Sequence, residues 1–555
     1  MQLLVAYIAI APFLKVTYNY YKIQLIKRKR AMNMDIGKNI YKLRNFYKLT
    51  QEQFAEAIGV SRQAVQKWES GTAVPDMEHI LKISESFGIS LDALIKSLDK
   101  RAIEEMRYDR QIQAEYDHLH EWESYPAQLL VEYQQSVDEG IDVEQYKGLF
   151  EEIYKMPKSK EKEKMANILF DFVVRLPQRS NYKYVEPSEL DKIKALRETH
   201  DNRVYDVPNN YKEKLYGAWV GRICGCLLGK PIEGRSRSDI AALLKSGNNY
   251  PMQRYILSTD VTDEMINKLG YSKNSCWADN ISCAPVDDDT NYTVLANVLV
   301  EKYGRDFTPN DVANAWLNLQ SKNAYCTAER VAYRNFINGF LPPNSAFYKN
   351  PYREWIGAQI RGDYFGYINP GNSAMAAEMA WRDASISHVK NGIYGEMLIA
   401  AMIAHAAVCD DIEQIISAGL AQIPTTSRIY EALQSVILDY KSGESYDEFS
   451  KKLHNLYDES KPYYWCHTIS NAMIVIAALL HGKGNFGKSI CMAVQTGFDT
   501  DCNGATVGSI IGMRNGIEAI EEKWISPIKG ELDTSIFGIG KVKISDIVEK
   551  TLSHI

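Results

Sequence analysis

The sequence predicts an all-α chain: a small five-helix domain, then a helical connector, then a large helical bundle. Three observations carry that expectation. Residues 34–96 read as short helical segments closed by recognisable caps. Residues 97–205 keep a helical, charged texture without strand alternation. From Tyr211 onward glycines recur at Gly217, Gly221, Gly225 and Gly229, so four of them share one helix face.

The first domain follows from its caps. Ile36, Ile40, Leu43 and Tyr47 recur at helical spacing. Thr50, with Gln53 three residues on, forms a capping box, and Gly59 suits the left-handed residue that ends a helix. Ser61 caps the next segment, residues 62–69. Pro75 and Asp76 open another helix, closed near Phe87-Gly88. The three-residue turn Gly59-Val60-Ser61 between two short helices is the mark of a helix-turn-helix. On the third helix Ala64, Val65 and Trp68 face inward, while Arg62, Gln63, Gln66 and Lys67 share the outward face. Arginine and glutamine suit guanine and adenine edges, and lysine suits phosphate. With Gln51 at the head of the preceding helix, these are the candidate DNA-binding residues.

Composition sets the outer limits. The 555 residues carry a formal charge of −6, with 45% hydrophobic and 24% charged residues. Those figures exclude collagen-like and disordered classes and a wholly basic nucleic-acid coat. All nine cysteines lie between Cys224 and Cys502 without a CxxC pair, which points to free thiols in a reducing, cytoplasmic setting. The apolar stretch Leu3 to Leu14 is too short for a span of ~20 residues, and its basic cluster follows it rather than precedes it. Residues 1–33 therefore read as an extension, unstructured or misassigned, with Met32 or Met34 as the working start and no membrane partner.

The connector, residues 97–205, shows no chemistry in its sequence. Beyond it, each glycine costs a helix ~1 kcal/mol relative to alanine, so the stripe implies close approach of another backbone. Gly504, Gly508 and Gly512 repeat the device. Arg222, Lys214 and Lys230 interrupt the first stripe and argue for a helix pair inside a water-soluble core rather than a membrane dimer.

Two acidic clusters adjoin apolar helices: Asp287-Asp288-Asp289 and Asp499-Thr500-Asp501. Adjacent carboxylates repel, and a helix N-terminus compensates only part of that. Oxygen-rich sites of this kind suit hard divalent cations, magnesium in particular. Two clusters could hold two ions ~3.5–4 Å apart, the spacing that activates water for displacement.

Residues 50–69 resemble the Cro/repressor-like helix-turn-helix family. The region from about residue 206 to 555 resembles the ADP-ribosylglycohydrolase family, including the dinitrogenase-reductase-activating glycohydrolases. The carrying segments stand in order: residues 217–233 (GAWVGRICGCLLGKPIE), 287–290 (DDDT), 371–375 (GNSAM), 386–388 (ISH) and 499–509 (DTDCNGATVGS). The resemblance implies an all-α bundle with a two-magnesium site, manganese being the alternative ion, that hydrolyses N- or O-glycosidic bonds to ADP-ribose. It implies Asp288, Asp289, Asp499 and Asp501 as ligands, joined by Asp287 where the family has Thr or Ser. Cys502 also stands where a ligating Thr or Ser is usual, and Phe498 replaces a common Gly. By the same resemblance Glu233 contacts metal or substrate and manages the proton, with Asp288 and Asp501 as the other catalytic carboxylates. Gly371, Asn372 and Ser373 would cradle phosphate or ribose, and His388 would touch substrate.

Two functions follow as expectations. The first is a hydrolase acting on an ADP-ribosylated protein or small molecule, coupled to a domain that binds DNA as a homodimer. The alternative is a transcriptional regulator whose C-terminal region senses a nucleotide-like ligand with weak or no catalysis.

Overall fold

In the computed structural model, residues 36–47, 49–87, 89, 91–96, 120–198 and 203–555 are described. The extension 1–33 lies outside them, as do the first residues of the connector. The chain divides into two compact units, residues 1–118 and 119–555.

The first unit contains helices α1 (Ile36–Phe46), α2 (Gln51–Ile58), α3 (Arg62–Glu69), α4 (Met77–Phe87) and α5 (Leu91–Lys96). The anticipated caps are present. Thr50 and Gln53 form a capping box, Gly59 sits at φ +70°, and Ser61 accepts a hydrogen bond from Ala64 N. Ile40, Leu43, Phe54, Val65 and Ile83 are fully buried between the helices, and the Phe54 and Phe87 rings stack at 4.6 Å. Asn39 donates to the Leu94 carbonyl (2.9 Å), which ties α1 to α5.

The second unit is a helical bundle with one short antiparallel pair, Glu531–Leu532 against Val542–Lys543. The helices that matter here are α6 (Leu129–Asp138), α7 (Tyr211–Gly229), α8 (Asp288–Tyr303), α9 (Lys390–Ala406), α10 (Thr468–Gly482) and α11 (Thr500–Asn515). Helices α7, α9, α10 and α11 are buried on nearly every side, as interior helices of a large bundle are.

The glycine stripe of α7 packs against that of α11. A Cβ at Gly217 would stand 2.5 Å from the Gly512 carbonyl oxygen; at Gly221 it would overlap Gly508 O and at Gly225 Gly504 O. The obstructing atoms are backbone on both sides, so neither helix can yield. This contact brings the head of α11 to the tail of α7, where a Cβ on Gly229 would collide with the backbone of Thr500 and Asp501.

Residues 119–205 belong to the same compact unit as the bundle. This stretch, which shows no chemistry in its sequence, supplies buried carboxylates to distant cations. Arg353 donates to Glu139 (2.6 Å) and Glu132 (3.1 Å), Lys390 reaches Glu139 (2.7 Å), and Arg428 bridges Glu186 (2.8 Å) and Glu354 (2.7 Å). The partners lie some two hundred residues away in sequence, which is why the local pattern hid them. Removing one member leaves buried charge unpaired, at a cost of about 3–5 kcal/mol. Arg353→Met is expected to lower the melting temperature markedly, while Lys192→Met, which breaks an exposed pair with Glu189, leaves it almost unchanged. Equal melting temperatures in the two variants would contradict this account of the network.

Candidate metal centre

Both acidic clusters sit at helix starts, and the α7–α11 contact brings them together. Asp287 is the N-cap of α8 and accepts a hydrogen bond from Asp289 N (2.9 Å). Asp499 occupies the N-cap position of α11, and Asp501 lies in its first turn. Ahead of Asp499 the chain turns through Gly497 (φ +89°) and Phe498 (φ +57°). A left-handed Phe is strained; its ring is buried and meets the His454 ring at 5.0 Å, which helps to hold the turn. A single 3₁₀ turn, Lys230–Ile232, carries the chain from α7 to Glu233.

Three groups of donors result, and within each the ligand atoms lie within 4.8 Å of one another: Cys226, Asp287 and Asp289; Asp289, Asp501 and Cys502; Glu233, Asp499 and Asp501. Asp287, Asp289, Asp499 and Asp501 are buried, whereas Glu233 is exposed at the rim. Asp288 is half-buried and belongs to none of these groups, but its carboxyl lies close enough to Asp287, Glu233 and Asp499 to be repelled by them.

Positive charge at the site is scarce. Lys230 pairs with Asp287 (2.5 Å), and this holds the Asp287 carboxyl below its ordinary range in spite of burial. Arg222 donates to Asp289 Oδ1 (3.2 Å) and to its carbonyl (2.7 Å), but divides its charge with Asp363 (2.9 Å). The other carboxylates have no such cover. Burial, then repulsion from Asp287 and Glu233, pushes Asp288 well above the carboxylate range; burial, then Glu233 and Asp287, does the same to Asp501. Asp289 is raised by burial despite Arg222, and Glu233, partly desolvated at the rim and then repelled by Asp499 and Asp287, is pushed up to about 7. Asp289 Oδ2 and Asp499 Oδ1 are buried without a hydrogen-bond partner. Orphaned carboxylate oxygens beside a surplus of negative charge fit a divalent cation, which meets both deficits at once.

The other candidates lie elsewhere. Asn372 caps the helix Ser373–Ala384, Ser373 donates to the Ala401 carbonyl, and Gly371 sits at φ +71°. Asn372 and Ser373 line a cleft of about 200 Å³ with Arg203, Tyr205, His405 and Gln414, and none of the clustered carboxylates borders it. His388 is buried; burial, then Arg361, lowers its pKa well below the usual value, so it is neutral, bonded to Ser387 Oγ (2.8 Å) and 3.9 Å from Glu329. In the first unit Arg62, Gln63, Gln66 and Lys67 are all exposed on α3, whereas Gln51 is half-buried and donates to Glu69 (2.8 Å).

Sequence reasoning missed several residues at the centre. Lys230 and Arg222 read as interruptions of a glycine stripe, but the structure makes them the cations that offset Asp287 and Asp289. Arg222 inside the apolar second half of α7 and Lys230 directly after it were the available signal. Cys226, read as a packing thiol, stands among the carboxylates. Cys466 donates to Asp499 Oδ2 (3.1 Å), and Asn471 accepts from Asp499 N (3.2 Å), so residues 466–471 support the second cluster.

The ADP-ribosylglycohydrolase family matches residues 207–552, more than half of the chain, and a helix-turn-helix family matches residues 40–94. The chain belongs to the ADP-ribosylglycohydrolase family and carries an N-terminal helix-turn-helix domain. The N-terminal region is similar to the HTH-type transcriptional activator BcrR of Enterococcus faecalis, at 33% identity over 87 residues, 16% of this chain and 43% of that one. It is similar as well to the cryptic phage CTXphi transcriptional repressor RstR of Vibrio cholerae (38% over 61 residues; 11% of this chain, 54% of that one). Antitoxin PezA of Streptococcus pneumoniae is 42% identical over 55 residues, 10% of this chain and 35% of PezA. The chain thus spans between about a third and a half of each of these relatives. A solved chain described as an ADP-ribosylglycohydrolase-related protein complex covers 62% of this chain and 98% of its own length, at 17% identity and a TM-score of 0.40. Among the described residues, no helix is long and apolar enough to cross a membrane.

Proposed function

We propose that the second unit hydrolyses an N- or O-glycosidic bond to ADP-ribose, on a protein or a small molecule, and that the first unit brings this activity to DNA. The observation that carries the reading is the convergence of Glu233, Asp287, Asp289, Asp499 and Asp501, with two buried oxygens left unpartnered. A sensor has no need of so costly a cluster. Asp289, Asp499 and Asp501, with Asp287 and Asp288 beside them, would hold divalent cations, magnesium or manganese. Bound there, such ions would polarise the substrate and favour ionisation of water. Glu233, its carboxyl pushed up to about 7 in the cation-free cluster, stands at the rim of the site, where it would give a proton to the leaving group or take one from water. Lys230 keeps Asp287 ionised, and Cys466 and Asn471 hold Asp499 in place.

Incubating the full chain with magnesium and a panel of ADP-ribosylated peptides and small molecules, followed by mass spectrometry, tests the reading. Release of free ADP-ribose from at least one substrate is expected; none from any would move the reading to a ligand-sensing regulator. A fragment starting near residue 205 would be a poor reagent, because it strips Arg353 and Arg428 of Glu132, Glu139 and Glu186.

The exposed face of α3 supports DNA binding as a dimer on two half-sites about one helical turn apart. Arg62→Ala is expected to weaken binding by about 1–3 kcal/mol at one base position if it reads a guanine. Gel shifts on fragments from the neighbouring genome check this, and absence of binding by the unmodified chain at low salt would remove the DNA role.

A further inference from the structure

The donor groups at the centre are not built of oxygen alone. Cys226 shares one with Asp287 and Asp289, and Cys502 shares another with Asp289 and Asp501. Both thiols are buried. Asp289 is common to the two groups and fully buried; Arg222 takes its Oδ1, and its Oδ2 has no partner. Each thiol lies within hydrogen-bonding reach of a carboxylate, Cys226 of Asp287 and Cys502 of Asp499, so the sulfur stands inside the acidic cluster rather than in an apolar pocket. Cys224, on the same helix, shows the alternative: its thiol meets the Trp524 carbonyl at 3.2 Å in an apolar setting.

Mixed thiolate and carboxylate donors suit borderline ions, whereas magnesium keeps to oxygen. We propose that the two thiol-bearing groups, Cys226 with Asp287 and Asp289 and Cys502 with Asp289 and Asp501, form a sulfur-bearing subsite around Asp289 for a borderline divalent cation of the zinc, ferrous or cobaltous class, next to the all-oxygen group of Glu233, Asp499 and Asp501. A thiol that ligates gives its proton to solvent and forms a sulfur–metal bond; no electron is transferred. The proposal rests on reading the acidic cluster as a cation site, and not on the reaction that cluster performs.

Cobalt(II) is the probe. Metal-stripped, reduced full-length protein titrated with Co²⁺ should develop a saturable thiolate-to-cobalt charge-transfer band in the near ultraviolet. Cys226→Ser and Cys502→Ser should each weaken the band and the double variant should abolish it, while Cys224→Ser leaves it intact. Saturable Co²⁺ binding without the band, or a band that survives the double variant, would overturn the proposal. Cadmium titration of the unmodified chain gives a substitution-free check, since thiolate-to-cadmium absorption is expected and its absence also overturns the subsite. The two readings separate cleanly. Magnesium-supported hydrolysis without sulfur ligation sinks the subsite alone, and sulfur ligation without hydrolysis under any cation sinks the hydrolase alone.

Discussion

Asp501→Asn is expected to abolish hydrolysis and the response to divalent cations while raising the melting temperature of the metal-stripped protein. Burial and the neighbouring carboxylates of Glu233, Asp287, Asp499 and Asp289 push the Asp501 carboxyl well above its ordinary range. A carboxyl raised in the folded state contributes stability fully below its unfolded pKa and loses it as pH rises through the folded value. At pH 8, far above the pKa that the carboxyl has in the unfolded chain, much of that contribution is gone from the cation-free protein, and a neutral amide, which does not titrate, avoids the loss. Asparagine still offers an oxygen to Cys502 N, the hydrogen bond that Asp501 accepts at 3.1 Å. A cation at one hundred times its dissociation constant stabilises by about 2.7 kcal/mol. For a unit of this size, at ~2.1 cal/mol/K of unfolding entropy per residue, that is a rise on the order of 3 °C. Thermal melts with and without Mg²⁺ or Mn²⁺ read both effects. A variant that melts lower without cation and still gains with it would reject this electrostatic account.

The second large effect falls on the glycine contact. Alanine usually improves a helix over glycine by ~1 kcal/mol, and Gly148→Ala, where a Cβ meets nothing within 4 Å, should follow that rule. Gly221→Ala should do the reverse, losing about 1–3 kcal/mol or more, because its Cβ is driven into the Gly508 carbonyl. Gly229→Ala should have a further consequence. Its Cβ displaces the Thr500–Asp501 backbone, so cation binding is expected to fail even where the bundle still folds. Denaturant melts of the three variants, paired with cation titration of Gly229→Ala, decide the matter. Stabilisation by Gly221→Ala, or full cation affinity in Gly229→Ala, would contradict the role assigned to the contact.

What the sequence disclosed follows the range of the interactions. Thr50, Gln53, Gly59 and Ser61 act within a few residues of themselves, and the first unit could be read from them. The stripes Gly217–Gly221–Gly225–Gly229 and Gly504–Gly508–Gly512 announce their own close contact, and one of the two aspartate clusters, Asp499 and Asp501, directly precedes the second stripe. The charge balance could not be read in the same way. Lys230 meets Asp287 across 57 residues, Arg353 meets Glu132 across 221, and Arg428 meets Glu186 across 242. Each looks like an ordinary surface residue until the bundle closes. The Gly371–Ser373 loop shows the converse, since a segment recognised by its motif lines a cleft that none of the clustered carboxylates borders.

The most direct test of the central claim is calorimetric titration of the metal-stripped full chain with Mg²⁺ and Mn²⁺, beside Asp501→Asn. The account predicts saturable binding to the unmodified chain at pH 7.5 to 8 and loss of most of it in the variant. No saturable binding of either ion to the unmodified chain, or equal binding to both proteins, would contradict it.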